Sequence, residues 1–283
     1  MQEACPPAEQ IPRGRMLPDY HVHSNHSLDA HDPMAVICQT ALEHGVEELG
    51  FSEHLDLHPL DRVMGLFDPE KYWDSLRHCR DTFRSRLIIR AGLEVGEPHH
   101  YTSELRSILE SYPWDYVLGS QHWMGDMSVF DPTYFKQPAD KAYAHFFDEE
   151  LELVQEGDFE ILAHMDIAKR YGFDAYGAFD PHPWEGSIRA ILRELARRDR
   201  ALEVNSGTLR RSVNETSPGT VILQWFHEEG GKLVTFGSDA HYAEHVGFAR
   251  SQAARQLQAA GFTEYARFEK RQAQLQPLDV GEV

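Results

Sequence analysis

Short runs rich in β-branched and aromatic residues alternate along the chain with longer stretches in which apolar residues recur every three to four positions. The short runs predict seven strands, at 19–23 (DYHVH), 47–52 (EELGFS), 87–95 (LIIRAGLEV), 115–121 (DYVLGSQ), 159–164 (FEILAH), 201–206 (ALEVNS) and 233–238 (LVTFGS). The longer stretches predict helices at 33–45, 69–84, 101–110, 139–157, 185–199, 218–230 and 242–260. Pro33 opens the first of these and Gly45 closes it, as helix termini prefer. Regular β-then-α alternation requires a parallel sheet, and seven such units in 283 residues favour a closed or nearly closed barrel over an open doubly wound sheet. Residues 1–18 read as a loose extension, 19–270 as one catalytic domain and 271–283 as a tail. Three weakly patterned insertions, 54–68, 122–138 and 167–182, each follow a predicted strand, which puts them on the rim where barrel active sites form.

Composition narrows the partners. The chain has 27 basic and 46 acidic residues, a formal net charge of -19, which disfavours the phosphate backbone of a nucleic acid and an anionic membrane surface. No apolar stretch is long enough for a membrane span, and the first 18 residues have no signal-peptide core. Cys5, Cys38 and Cys79 form no CxxC pair, so neither a disulfide framework nor a thiolate zinc site is expected, and a reducing cytoplasm fits. No GxGxxG or GxxxxGK[ST] follows a strand, which lowers the case for a nucleotide fold.

The chemistry sits at the strand ends. His21 and His23 are two apart on the first strand and so project from one face; Asp29 lies in the turn beyond. His54, Glu94, His122 and His164 end the next four runs, and Asp239 and His241 repeat the two-residue spacing after the last. One divalent ion needs three or four protein ligands, so nine converging donors would serve two or three ions. Six neutral imidazoles and three carboxylates around three such ions leave a surplus of about three positive charges, which calls for an anion. A phosphate ester plus a hydroxide bridging paired metals nearly cancels that surplus, and hydrolysis by in-line attack follows. Lys169, Arg170, Arg210 and Arg211 in the rim loops are either phosphate clamps or solvent-facing charges, with Arg170 and Arg210 preferred as clamps. Asn205 and Ser206, at the end of the sixth strand, are candidates to hydrogen-bond the ester or a substrate amine. Glu53 and Asp166 are candidates to orient ligating imidazoles, or ordinary loop acids. The remaining histidines read as surface or capping residues, His26 being the exception most worth watching.

The strings DYHVHSNHSLDA, GFSEHLDL, GLEVGE, LGSQHW, LAHMDIAKRYG, LEVNSG and FGSDAH, in this order, resemble the PHP (polymerase and histidinol phosphatase) metallo-phosphoesterases over about residues 18–260. The spacing is most similar to the family's monofunctional histidinol-phosphate phosphatases of histidine biosynthesis. The resemblance implies a distorted (β/α)7 barrel and three divalent ions, zinc, manganese or iron, held by His21, His23, Asp29, His54, Glu94, His122, His164, Asp239 and His241. Some relatives place a histidine where this chain has Asp29. Arg170, Arg210, His54 and Asp239 are the implied catalytic set, and Asp56 and Glu97 the candidates for the amine and imidazole of the substrate. Two other readings compete: a PHP phosphoesterase for another small phosphomonoester or a nucleotide, and a non-catalytic metal-binding scaffold. The retained ligand set argues against the scaffold. Oligomeric state is not legible.

Overall fold

The computed structural model describes residues 16–279, so most of the predicted N-terminal extension and residues 280–283 lie outside the described residues. Six parallel strands lie side by side in chain order: β1 (Glu48–Leu55), β2 (Ile88–Gly96), β3 (Tyr116–Ser120), β4 (Ile161–Leu162), β5 (Ala201–Asn205) and β6 (Val234–Gly237). The predicted first strand, 19–23, is not a regular strand. It is the stave that joins the two sheet edges: Ser52 N–H donates to Val22 O at 2.9 Å on the β1 side, while Tyr20 N–H donates to Phe236 O at 3.0 Å on the β6 side. Bridges pair Asp19 with Leu49 and Val22 with Ala240, both parallel. Because its bonds divide between two neighbours, this segment closes a distorted barrel without a continuous ladder of its own.

Helices cover the outside. They are α1 (Met34–Glu43), α2 (Pro69–Phe83), α3 (Thr102–Ser111), α4 (Ala139–Glu156), α5 (Ala168–Tyr176), α6 (Glu185–Arg197), α7 (Thr220–Glu228) and α8 (Arg250–Ala259). In α6, Ile188, Ile191, Leu192 and Leu195 recur at i, i+3, i+4 and i+7 and are all buried, so one apolar stripe docks the helix. Asp68 caps α2 by accepting the Lys71 N–H at 3.1 Å, with Pro69 at the first helical position.

Three features differ from the sequence reading. Helix α5 occupies part of the insertion read as 167–182. The helix read as 242–260 begins only at Arg250, since Gly247 and Ala249 take left-handed φ of 70° and 58° and break the helical path. Finally, β7 (Glu264–Glu269) and β8 (Gln272–Pro277) form an antiparallel hairpin that takes in the first part of the predicted tail.

That hairpin plugs the barrel. Ala266 and Phe268 join Tyr20, Tyr116, Leu118, Ile161, Ala163 and Ala201 in an interior cluster. Tyr116 lies across the interior against Gly50 and Gly92, where any Cβ would collide with its ring, and its hydroxyl donates to Tyr20 O at 2.7 Å. The residues that start the strands hold the plug: Arg271 pairs with Glu160 at 2.8 Å, Arg267 pairs with Glu48, and Lys270 N–H donates to Asp115 at 3.1 Å. With the N-terminal end filled, the C-terminal rim is left open for chemistry.

Candidate metal centre

All nine predicted donors meet at the C-terminal rim. Glu94, 1% exposed at the end of β2, is the hub: its Oε2 lies 3.2 Å from His21 Nε2, 3.4 Å from His23 Nε2 and 3.2 Å from His54 Nδ1. Its Oε1 lies 2.9 Å from His164 Nε2 and 3.4 Å from His122 Nε2. Asp239 reaches His241 at 3.4 Å and His23 at 3.7 Å. On the exposed lip, Asp29 stands 3.1 Å from His241 and 3.6 Å from His54. His23 stacks between His54 and His241, with ring centroids 4.4 Å away on each side.

Three overlapping sets each bring one donor atom per residue within 4.8 Å of one another: His23, His54 and His241; His21, His23 and Asp239; His21, Glu94 and His164. His21 Nε2, His23 Nε2 and His54 Nδ1 are buried without a hydrogen-bond partner, although a buried polar atom normally has one. Unpaired imidazole nitrogens facing carboxylate oxygens are what a nitrogen- and oxygen-ligated divalent ion requires, so these residues fit such ions. Charge agrees. Burial pushes the Glu94 and Asp239 carboxyls up, yet the surrounding imidazoles outweigh it and hold both below the usual carboxylate range. The site therefore keeps its acids ionised and demands positive charge.

A supporting layer aims the rings. Glu203, on β5, accepts from His21 Nδ1 at 2.7 Å, which turns Nε2 toward Glu94; its second oxygen takes the His164 N–H at 2.8 Å. Gly237 makes room for it, since a Cβ there would collide with Glu203 and His21. Asp56 bonds His122 Nδ1 at 2.9 Å and lies 3.3 Å from His54 Nδ1. Glu203 was missed in the sequence, where its signal is an acid between Leu202 and Val204, pointing into the barrel while its apolar neighbours point out.

The second-layer assignments change accordingly. Glu53 touches no ligating ring: it accepts from Ser24 Oγ and Ser27 Oγ, both at 2.6 Å, and Ser27 Oγ in turn accepts the His54 N–H. Asp166 is spent on Lys169 at 2.8 Å and on Ser217. Lys169 is consequently an internal cation, 1% exposed and also bonded to Glu215 and Thr216 O, rather than a clamp. Glu97 is buried behind the loop, where it accepts the His122 and Trp123 N–H groups, so it does not face the cleft. Asn205 accepts the Gly207 N–H and donates to Glu203, and Ser206 donates to Phe248 O; both are inner supports. His26 bonds Ser75 at 2.9 Å, away from the centre.

The centre opens into a cleft of about 1340 Å³ to which all three predicted insertions contribute, through Asp61 and Arg62, through Trp123 and Phe130, and through Arg170 and Tyr171. Arg210 and Arg211 line it too. Arg210 donates to Ser238 O and Asp239 O, both at 2.9 Å, which fixes its guanidinium beside the centre. His164 and Asp239 are presented by backbone at positive φ, 22° and 53°, strained conformations for residues with a Cβ.

Comparison with known proteins places the site in a family. The PHP domain pattern matches residues 19–207. This chain belongs to the PHP family. Among PHP proteins, the histidinol-phosphatase of Lactococcus lactis is 30% identical over 253 residues, covering 88% of this chain and 93% of the relative. The histidinol-phosphatase of Bacillus subtilis is 25% identical over 265 residues, covering 82% and 96%. A crystal structure of the Lactococcus lactis histidinol phosphate phosphatase with zinc, L-histidinol and phosphate superposes with a TM-score of 0.84 at 27% identity, covering 92% of this chain and 99% of that one. The distorted barrel with flanking helices is thus the PHP fold, and divalent metal binding belongs to it.

Proposed function

We propose that this chain is a histidinol-phosphatase of histidine biosynthesis, hydrolysing L-histidinol phosphate to L-histidinol and phosphate at the C-terminal rim. The observation that carries the reading is the convergence of nine donors at one rim, five imidazoles of them on Glu94, in a chain whose relatives across nearly its full length are histidinol-phosphatases. His21, His23, Asp29, His54, Glu94, His122, His164, Asp239 and His241 would hold three ions, with zinc, manganese or iron suited to the donor set. Such ions would supply Lewis acidity and lower the pKa of water toward neutrality, providing a hydroxide nucleophile.

The protein's own part is orientation. Glu203 and Asp56 fix the tautomers of His21 and His122, and Ser27, itself held by Glu53, positions the backbone of His54. Arg210, pinned by two carbonyls, and Arg170, lying over Tyr171, face the cleft and hold phosphoryl oxygens there. The walls suit the rest of the substrate: Trp123, Phe130 and Tyr171 offer flat surfaces to an imidazole, and Asp61, on the same wall, offers a carboxylate to the amine. The partner is a small phosphomonoester, with no role for nucleic acid or membrane. The buried free thiols of Cys38 and Cys79 suit a reducing cytoplasm.

The test is phosphate release from a panel of phosphomonoesters by manganese- or zinc-loaded protein. Preference for L-histidinol phosphate, abolished by chelation, is expected; chelator-sensitive activity on other esters alone would overturn the substrate.

A further inference from the structure

A second group of donors lies outside the nine-residue centre and shares no residue with it. His99 and His100 follow β2, and Glu149 lies on α4; one donor atom from each falls within 4.8 Å of the others. His99 is 8% exposed, and neither of its ring nitrogens has a hydrogen-bond partner. Buried imidazole nitrogens without partners are rare in folded proteins, since each has given up water for nothing. His100 packs its ring against His99, centroids 3.9 Å apart, and its Nε2 stands 3.6 Å from Glu149 Oε2. That separation is long for a hydrogen bond. It is close to the roughly 3.3 Å that separates two ligands of one tetrahedral ion with bonds of about 2.0–2.1 Å. His145, one turn earlier on α4, lies 3.6 Å from the other Glu149 oxygen. His100 and His145 are about half exposed, so solvent reaches the group.

We propose that His99, His100 and Glu149 form a second, peripheral divalent-metal site, with His145 placed to complete the shell and zinc the ion that two imidazoles and a carboxylate suit. An ion there ties the segment after β2 to α4.

The experiment is a zinc count at saturation on the chelator-stripped full chain, for the wild type and for His100→Ala and Glu149→Gln, whose side chains are partly exposed and whose replacement leaves the core intact. Each variant is expected to bind one zinc fewer per chain than the wild type, with phosphate release from L-histidinol phosphate within about twofold. Because the difference rather than the total is read, the result stands whatever the occupancy of the centre. Equal counts in all three proteins would overturn the site. So would a loss of zinc matched by loss of activity, which would assign these residues to the centre instead.

Discussion

Both ends of the barrel bury acids, to opposite effect. At the N-terminal end, Glu48 pairs with Arg90 at 2.8 Å and with Arg267, Asp115 pairs with Arg80 at 2.8 Å, and Glu160 pairs with Arg271 at 2.8 Å. Each acid has its own guanidinium. At the C-terminal end, Glu94 faces five imidazoles, and among the described residues no lysine or arginine forms an ion pair with Glu94 or Asp239. Matched charges make a floor that is stable without any ligand, whereas acids matched only by imidazoles, which can exchange a proton for a metal ion, make a rim that divalent cations can complete. What separates a structural buried acid from a functional one is therefore the partner, not the burial.

The comparison predicts different failures at the two ends. Glu94→Gln should have the largest effect: bound metal falls and kcat drops at least ~10³-fold, since several kcal/mol of charge stabilisation depend on the ions it gathers; metal analysis with steady-state kinetics checks it. At the floor, Arg90→Ala should cost about 2 kcal/mol in denaturant unfolding, because it removes one charge-assisted bond from buried Glu48, which keeps Arg267, while metal per folded chain is unchanged. Loss of metal in that variant would erase the distinction between the ends. Glu203→Gln should weaken metal affinity roughly 10–100-fold by releasing the His21 ring, with little change in fold. Arg170→Ala should be the mildest, raising KM for the phosphomonoester about tenfold while the metal content stays constant, as expected when one charge-assisted contact worth about 1.4 kcal/mol is lost.

The two ends also differed in how far the sequence disclosed them. The convergence of the rim donors was legible because strand ends put them in register: His21 and His23 on one face, Asp239 and His241 repeating the spacing, and an acid or imidazole ending four of the five intervening runs. The hairpin floor was not legible, since β8 reads Gln-Ala-Gln-Leu-Gln-Pro and is mostly exposed: its alternating positions carry only Ala273, Leu275 and Pro277, with none of the β-branched or aromatic residues that mark a strand. Helix α5 was hidden for a related reason: Gly172 sits mid-helix where only glycine clears the Tyr143 hydroxyl, and it reads locally as a breaker. The partners of Lys169, Asp166 and Glu97 were beyond reach because a rim-loop charge looks the same in sequence whether it faces the cleft or is paired behind it. Only the tertiary contacts of Lys169 with Asp166 and Glu215 decide that it is spent.

The measurement that bears most directly on the rim as a cation-completed site is the rate of phosphate release from L-histidinol phosphate as zinc or manganese is returned stepwise to the chelated protein. Activity should be absent from the stripped chain and return as the ions fill the nine-residue centre. Full turnover by the metal-free chain would contradict the account.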